Sequence, residues 1–174
     1  SVPAKIGRGG AIKLNQVFWT DNFIADAATF FTAARGNLET GAGSALASAG
    51  LTAAQLAFRR QTDPEGDPLG VNPTIVVVPP DLEVTLLELL RSVQVKGSTD
   101  GPDVNTWSGR YTPVVSTYIT DTAEWFLLAD PRDLAMIETV FLNGVQSPTV
   151  DSADADFNTL GIQVRGYFDF GVAK

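Results

Sequence analysis

The sequence predicts an α+β domain. Three observations lead there. Helix-like segments crowd the first half of the chain, short apolar strand-like segments fill the second, and no internal repeat relates one part to another. The 174 residues suit one domain, or one with an appendage, and are enough for a sizeable core.

Residues 4–24 read as a helix. Ile12, Leu14, Val17, Phe18 and Ile24 are spaced irregularly along it, and Gly7, Gly9 and Gly10 weaken its start. Residues 27–38 carry Phe30 and Phe31 ahead of Gly36-Asn37, a turn signal. Residues 41–50 are small and Ala-rich, which suggests a short helix stopped by Gly50. A stronger helix follows. Thr52 is placed to cap it, and Gln55 completes a capping box, with Leu51 and Leu56 at the staple positions. It should end near Gln61, because the Asp-Pro-Glu-Gly-Asp-Pro run at 63–68 cannot continue it.

Residues 74–78, Thr-Ile-Val-Val-Val, are β-branched, continuous and bounded by proline, the pattern of a strand buried on both faces. Pro80 suits the first turn of a helix. Leu82, Leu86, Leu89, Leu90 and Val93 then mark one face, with Asp81 and Glu83 at the positive end and Arg91 at the negative one. Residues 96–110 form a polar loop rich in Gly and Asp. Strands are expected at 111–120, 124–129 and 136–142, with turns at Asp130-Pro131 and Asn143-Gly144. Residues 145–160 read as a second long loop. A closing strand spans 161–172, with Ile162, Val164, Phe168 and Phe170 on one face. The strands should pair mostly antiparallel.

Composition excludes several chemistries. With no Cys there are no disulfides, zinc-thiolate sites or thiol nucleophiles. With no His, the commonest general base and the Ser-His-Asp triad are absent. The net charge is −8, and the 12 Lys and Arg do not cluster in the sequence, so the footprint of a nucleic-acid binder is missing. An acidic surface repels DNA and anionic membranes, a property useful to a wall that must not trap what it encloses, although acidity also simply aids solubility. Charged residues make up 18%, below the usual quarter or so, which suits a surface covered by partners. No run approaches the roughly 18 apolar residues of a membrane span. The start, Ser1-Val2-Pro3-Ala4-Lys5, lacks an apolar signal core, and its abruptness suggests a piece of a longer chain. The lack of Cys fits an intracellular origin.

Candidate sites fare poorly. Gly7-Arg8-Gly9-Gly10 has neither the preceding strand nor the Lys-Ser/Thr of a phosphate loop and reads as a flexible lead-in to a helix; Lys96-Gly97-Ser98 lacks the upstream glycine. Asp151, Asp154 and Asp156 match no calcium loop and have no closing Glu, so they read as a solvated loop. Asp63, Glu65 and Asp67 have the residue types of an acid–base pair, but Pro64 and Pro68 mark a turn. Ser44 and Ser108 lie in no Gly-x-Ser-x-Gly elbow, and a Ser-Lys pair would need Lys5, Lys13, Lys96 or Lys174. Of the tryptophans, Trp19 offers only a general stacking surface, Trp125 belongs in the core, and Trp107, in a polar loop, is the one expected at an interface. No catalytic residue, cofactor or metal site is expected.

The segment 30–38, Phe-Phe-Thr-Ala-Ala-Arg-Gly-Asn-Leu, together with the helix closing on Arg59-Arg60-Gln61, resembles the major head subunit family of Mu-like phages and prophages. The Pro-flanked strand and acidic helix start at 76–83 are similar to that family as well. So are Leu127-Leu128-Ala129-Asp130-Pro131, residues 137–144 and residues 157–173. The motifs keep the family's order over about residues 12–173. One departure is the absence of the His and acidic residues that often precede Gly-Asn-Leu; here Thr32, Ala33, Ala34 and Arg35 stand instead. Family members are also longer at the N-terminus, and some are fused to a maturation protease, of which no motif is present.

The resemblance implies a Hong Kong 97-type major capsid fold. Residues 1–26 would be the end of a spine-like helix with its lead-in, and 27–174 an axial-type domain, a central mostly antiparallel sheet flanked by helices. It implies a structural protein that self-assembles into hexamers and pentamers of an icosahedral shell around DNA. Its partners would be copies of itself, with a scaffold or maturation protease during assembly in the bacterial host cytoplasm, and the product a virion. Some shells of this fold are cross-linked between Lys and Asn, and no such positions are matched here. The loops 96–110 and 145–160 are the expected contact and axis-lining elements, and Trp107, Arg110, Asp103 and Asn105 the expected subunit contacts. An encapsulin-like compartment shell that holds cargo enzymes is the first rival, and a carbohydrate-binding or hydrolase domain the second.

Overall fold

The computed structural model of the chain describes residues 2–96, 102–154 and 161–173, and the backbone alone at 95, 96, 102, 103 and 154. Helices and sheets are both present, as an α+β reading requires. Contacts divide the chain into two compact units: Ser1–Asp26 with Met136–Lys174, and Ala27–Ala135. Residues 136–174, grouped above with 27–135, cluster here with the first segment of the chain.

The second unit is built around β1 (Pro73–Val78). It is the middle strand of a three-stranded sheet, parallel to β4 (Thr112–Val115) and antiparallel to β5 (Phe126–Ala129). This sheet is mixed, while among the described residues four of the five strand pairings are antiparallel, as expected. The helix α4 (Glu83–Arg91) carries the chain back between β1 and β4, so β4 enters in the direction of β1. Val76, Val77 and Val78 are all buried. Val76 and Val78 join Leu86 and Leu90 of α4, Leu51, Trp107, Tyr111 and Leu127 in one core. Val77 lies opposite Phe126, and the Phe31 ring lies 5.3 Å from that of Phe126. Cover on both faces is why the strand needed a continuous apolar run.

Helix α3 (Ser48–Arg59) starts earlier than the sequence suggested. Gly50 is inside it and does not stop the preceding segment, where only the short 3-10 turn Ala42–Ser44 forms. A Cβ at Gly50 would strike the Ala45 carbonyl oxygen, so glycine permits the tight approach. The expected capping box is absent. Thr52 lies within the helix and its hydroxyl donates to the Ser48 carbonyl at 2.8 Å. Gln55 instead accepts from the Tyr111 hydroxyl at 3.1 Å. Leu51 is buried but Leu56 is exposed, so no staple forms. The helix does end close to Gln61.

Pro80 opens a 3-10 turn, Pro80–Leu82, that feeds α4. Leu86 and Leu90 are buried, and Leu82 and Leu89 pack against the core. Val93 lies past the last turn and is exposed. The expected loop 96–110 contains part of an antiparallel ribbon, β2 (Gln94–Lys96) with β3 (Pro102–Val104); residues 97–101 lie outside the described residues. The strand expected over 111–120 stops at Val115, and the Ser116 N–H donates to the Val78 carbonyl.

In the first unit, α1 (Val2–Gln16) runs through its glycines into a π-helical segment, Val17–Ile24; α2 (Ala25–Phe30) begins there and ends among the residues of the second unit. Helix α1 lies against a ribbon of β7 (Thr149–Asp154) and β8 (Ile162–Tyr167), and Gly10 permits the approach, whereas Gly7 and Gly9 face open space. A Cβ on Gly10 would strike Pro148, and one on Gly166 would strike Ile6. Strand β7 lies in the stretch read as a loop. Its sequence, Thr-Val-Asp-Ser-Ala-Asp, shows no regular apolar alternation, so only the pairing with β8 reveals it. Residues 155–160 lie outside the described residues. The closing strand is broken in two. Strand β9 (Phe170–Ala173) pairs with β6 (Glu138–Phe141), and the Leu142 N–H donates to the Asp169 carbonyl. Phe168 stacks 5.9 Å from Phe141, whereas Ile162 is exposed, so the four residues assigned to one face do not share one.

Candidate assembly surface

Of the four expected contacts, Asn105 and Trp107 are packed inside the second unit, at 6% and 5% exposure. Asn105 acts as a local template. Its Nδ2 donates to the carbonyls of Leu89 at 2.5 Å and Ser92 at 2.8 Å, and its Oδ1 accepts from the Trp107 N–H at 2.9 Å. The Trp107 indole N–H donates to the Ser48 hydroxyl at 2.9 Å, and its ring stacks 6.0 Å from Tyr111. A tryptophan in a polar loop reads as exposed, but Asn105 folds this loop back onto the end of α4. The expectation that Trp107 faces a neighbour is therefore replaced by a core role. Arg110 is exposed, with its guanidinium 5.3 Å over the Trp107 ring. Asp103 lies in β3 opposite Val95, and its side chain lies outside the description.

The β2–β3 ribbon presents apolar residues that the unit does not cover. Val93 is 77% exposed and Val104 79%. Val104 pairs with Gln94, so Val93 and Val104 stand on opposite faces. A lone two-stranded ribbon is marginal in water, and one with uncovered valines on both faces is suited to contact with another surface.

The other candidates resolve as structure. The Trp125 indole donates to the Ser44 carbonyl at 2.8 Å and packs on the core. Trp19 meets Phe18 and Phe23 edge to face. The Asp63 carboxylate accepts from the Asp67 N–H at 2.8 Å, which makes 63–67 a closed turn. Asp151 pairs with Arg165 at 3.1 Å; Asp154 is described by its backbone alone, and Asp156 lies outside the described residues. Gly7-Arg8-Gly9-Gly10 is helical. Among the described residues no group of His, Cys, Asp and Glu is placed to hold a metal, and no helix is long and apolar enough to cross a membrane.

Three arginines entered the sequence reading only through the family resemblance, not as site residues. Arg35 and Arg60 line an open groove with Gly36, Glu39, Ala57 and Gln61. Gln61 donates to the Gly36 carbonyl at 2.8 Å, and the Arg35 guanidinium lies 5.7 Å over the Phe30 ring. Arg59 lies close enough to Tyr111 for its charge to act there. Burial raises the Tyr111 hydroxyl above its ordinary pKa, and the charges of Arg110 and Arg59 oppose that rise. The available signal was a helix that ends in consecutive arginines within an acidic chain. A family model described as phage capsid protein matches residues 1–174.

The chain belongs to the phage capsid protein family. No curated protein and no solved structure matches it. The family is structural, so this capsid protein is a virion component that associates with copies of itself into a shell. The uncovered ribbon and the arginine-lined groove are surfaces open to such contacts.

Proposed function

We propose that this capsid protein is the major head subunit of a Mu-like tailed phage or prophage, with a Hong Kong 97-type fold. It self-assembles into hexamers and pentamers that close an icosahedral shell around DNA. The family match along the whole chain carries this reading. Uncovered apolar side chains on the small ribbons support it, since Val93, Val104, Val140 and Ile162 all face solvent in the single subunit. In this reading 1–26 are the end of a spine-like helix and the axial-type domain begins at 27. Subunits meet through the β2–β3 ribbon and Arg110, in contacts that together bury more than about 2,000 Å² per subunit. A scaffold or a maturation protease takes part during assembly in the host cytoplasm. The shell itself catalyses nothing, and its acidic surface leaves the enclosed DNA unbound.

Size-exclusion chromatography with light scattering, followed by negative-stain imaging of the peak, tests this. Rings or closed shells are expected, and packaged nucleic acid would separate a phage head from a cargo compartment. A chain that stays monomeric at high concentration and across salt would remove the reading.

A further inference from the structure

Seven asparagines occur in the chain, and they are not equally protected. An asparagine side chain is open to attack by the main-chain nitrogen of the next residue. Its own partners and the identity of that residue therefore decide its fate. Asn15 and Asn22 donate along their helices, to the carbonyls of Ala11 at 3.0 Å and Val17 at 2.7 Å. Asn37 accepts from the Thr32 N–H at 2.8 Å and donates to the Phe30 carbonyl at 3.0 Å. Asn105 is buried and bonded to Leu89, Ser92 and Trp107. Asn72 precedes Pro73, whose nitrogen carries no proton to lose. Asn158 lies outside the described residues.

Asn143 differs on each count. It is exposed, and no group among the described residues bonds its side chain. Its successor is Gly144, which has no side chain to shield the main-chain nitrogen, and the space where a Cβ would stand is empty within 4 Å. Asn143 is also the one non-glycine residue with positive φ among the described residues, at φ 53° and ψ 21°, a left-handed conformation that is unfavourable for an L-residue. It sits in the 3-10 turn Leu142–Gly144 after β6, closed by the Val145 N–H on the Leu142 carbonyl at 3.1 Å. Rotation about its ψ brings the Gly144 nitrogen against its Cγ. That rotation opens one turn of backbone, and residues 142–145 are all exposed, so little else resists it.

We propose that Asn143-Gly144 is a self-modifying site, at which Asn143 converts through a cyclic imide to isoaspartate and aspartate in the folded subunit. The Gly144 nitrogen loses its proton to base and attacks Asn143 Cγ. The new N–C bond closes the imide ring, the Cγ–Nδ2 bond breaks, and the amide leaves as ammonia with a proton from water. Water then adds to either ring carbonyl. Opening at Cγ gives aspartate. Opening at the main-chain carbonyl gives isoaspartate, whose backbone is longer by a methylene. The steps are a substitution and a hydrolysis, with no change of oxidation state. Either product places a new carboxylate beside Leu142 and Val145, which are 59% and 46% exposed, so a charge enters an apolar surface of the first unit. The inference needs the turn and not the shell, so it stands apart from the proposed function.

Peptide mapping by mass spectrometry tests it on the whole chain, aged in mildly alkaline and in mildly acidic buffer, with a parallel sample aged in urea. The expected result is the mass gain of amide to acid at Asn143, in paired aspartate and isoaspartate peaks. It should be faster in the alkaline buffer, because the Gly144 nitrogen must lose a proton. An isoaspartate methyltransferase should label the peptide carrying residue 143 in the aged chain. The same peptide of an Asn143→Gln chain should stay unlabelled, since the longer side chain closes a ring far more slowly; a circular dichroism melt checks that variant's fold. Conversion in the folded chain should be no more than about a hundredfold slower than in urea, the factor set by opening one or two exposed hydrogen bonds, while Asn37 and Asn105 keep their amides. If Asn143 keeps its amide in the folded chain and loses it in urea, the turn protects it and the inference is overturned. Conversion of Asn37 or Asn105 ahead of Asn143 in the folded chain would overturn it as well, because hydrogen bonding would not be what selects the site. Neither result touches the proposed function.

Discussion

The two units of this capsid protein bury themselves very differently. In the second, β1 is covered on both faces, and Leu51, Leu86 and three consecutive valines are sealed from water. In the first, Phe23 is the large side chain that is sealed among the described residues, and two-stranded ribbons lie against α1 or stand beside it with Val140, Leu142 and Ile162 exposed. The second unit has the core of a domain that folds alone. The first has the burial of a part completed by other surfaces, because small ribbons seldom hide enough apolar area to be stable by themselves. A shell subunit needs both: a closed body that sets shape and an open part that joins neighbours.

That contrast breaks if core substitutions in the second unit do no more harm than changes in the first. Trp107→Ala should cost the most, about 3–5 kcal/mol, as cavity formation adds to the lost hydrogen bond with Ser48. Leu86→Ala should cost about 2–5 kcal/mol. Both would show as lower urea midpoints of the isolated subunit. By contrast, Ile162→Ser should leave that midpoint within about 0.5 kcal/mol while weakening self-association. Trp107→Ala leaving the melt unchanged and only assembly impaired would restore the interface role expected from the sequence.

Asn105→Ala sharpens the same point one step down. It strips four hydrogen bonds from a buried corner and leaves the Leu89 and Ser92 carbonyls, the Ser92 hydroxyl and the Trp107 N–H without that partner, at a cost of about 1–3 kcal/mol. Gly10→Val is the matching probe of the first unit. The added atoms meet Pro148 and Phe168, and overpacking of about 1–3 kcal/mol should loosen the β7–β8 ribbon from α1. Faster proteolysis within 145–167, with the second unit's melt unchanged, is the expected result. A fall of the whole melt would mean the two units unfold as one.

The same contrast marks what the sequence let through. Where a segment is buried on both faces, its pattern is strong: 74–78 and the Leu82, Leu86, Leu89, Leu90 face were legible because apolar residues alone satisfy such sites. Polar strands were not. Strand β7 and the β2–β3 ribbon are short strands held by backbone pairing with a nearby segment, and runs as short as Gln94-Val95-Lys96 do not stand out from a polar loop. Glycine misled twice, at Gly10 and Gly50, because its role there is close approach and not helix breaking. Of the expected contacts, Arg110 alone among the described side chains is exposed. Asn105 and Trp107 failed because their satisfaction comes from Leu89, Ser92 and Ser48, which local spacing does not show.

Tyr111 gives the finest test of how closed the second unit is. Burial, the larger influence, raises its hydroxyl pKa, and the charges of Arg110 and Arg59 only partly offset this. The unfolded chain ionises near the ordinary tyrosine value of about 10. A folded pKa above the unfolded one means the folded state holds its proton longer. The associated stability is therefore complete below about pH 10 and is lost as pH rises through the higher folded value. Tyr111→Phe removes this component along with the Gln55 hydrogen bond. Its urea midpoint should sit slightly lower at about pH 8, by about 0.5–1.5 kcal/mol, and the gap to wild type should narrow at about pH 10.5. A gap that widens with pH would mean the Tyr111 anion is held by Arg59 and Arg110 more strongly than burial opposes it, and that this edge of the core is open to water.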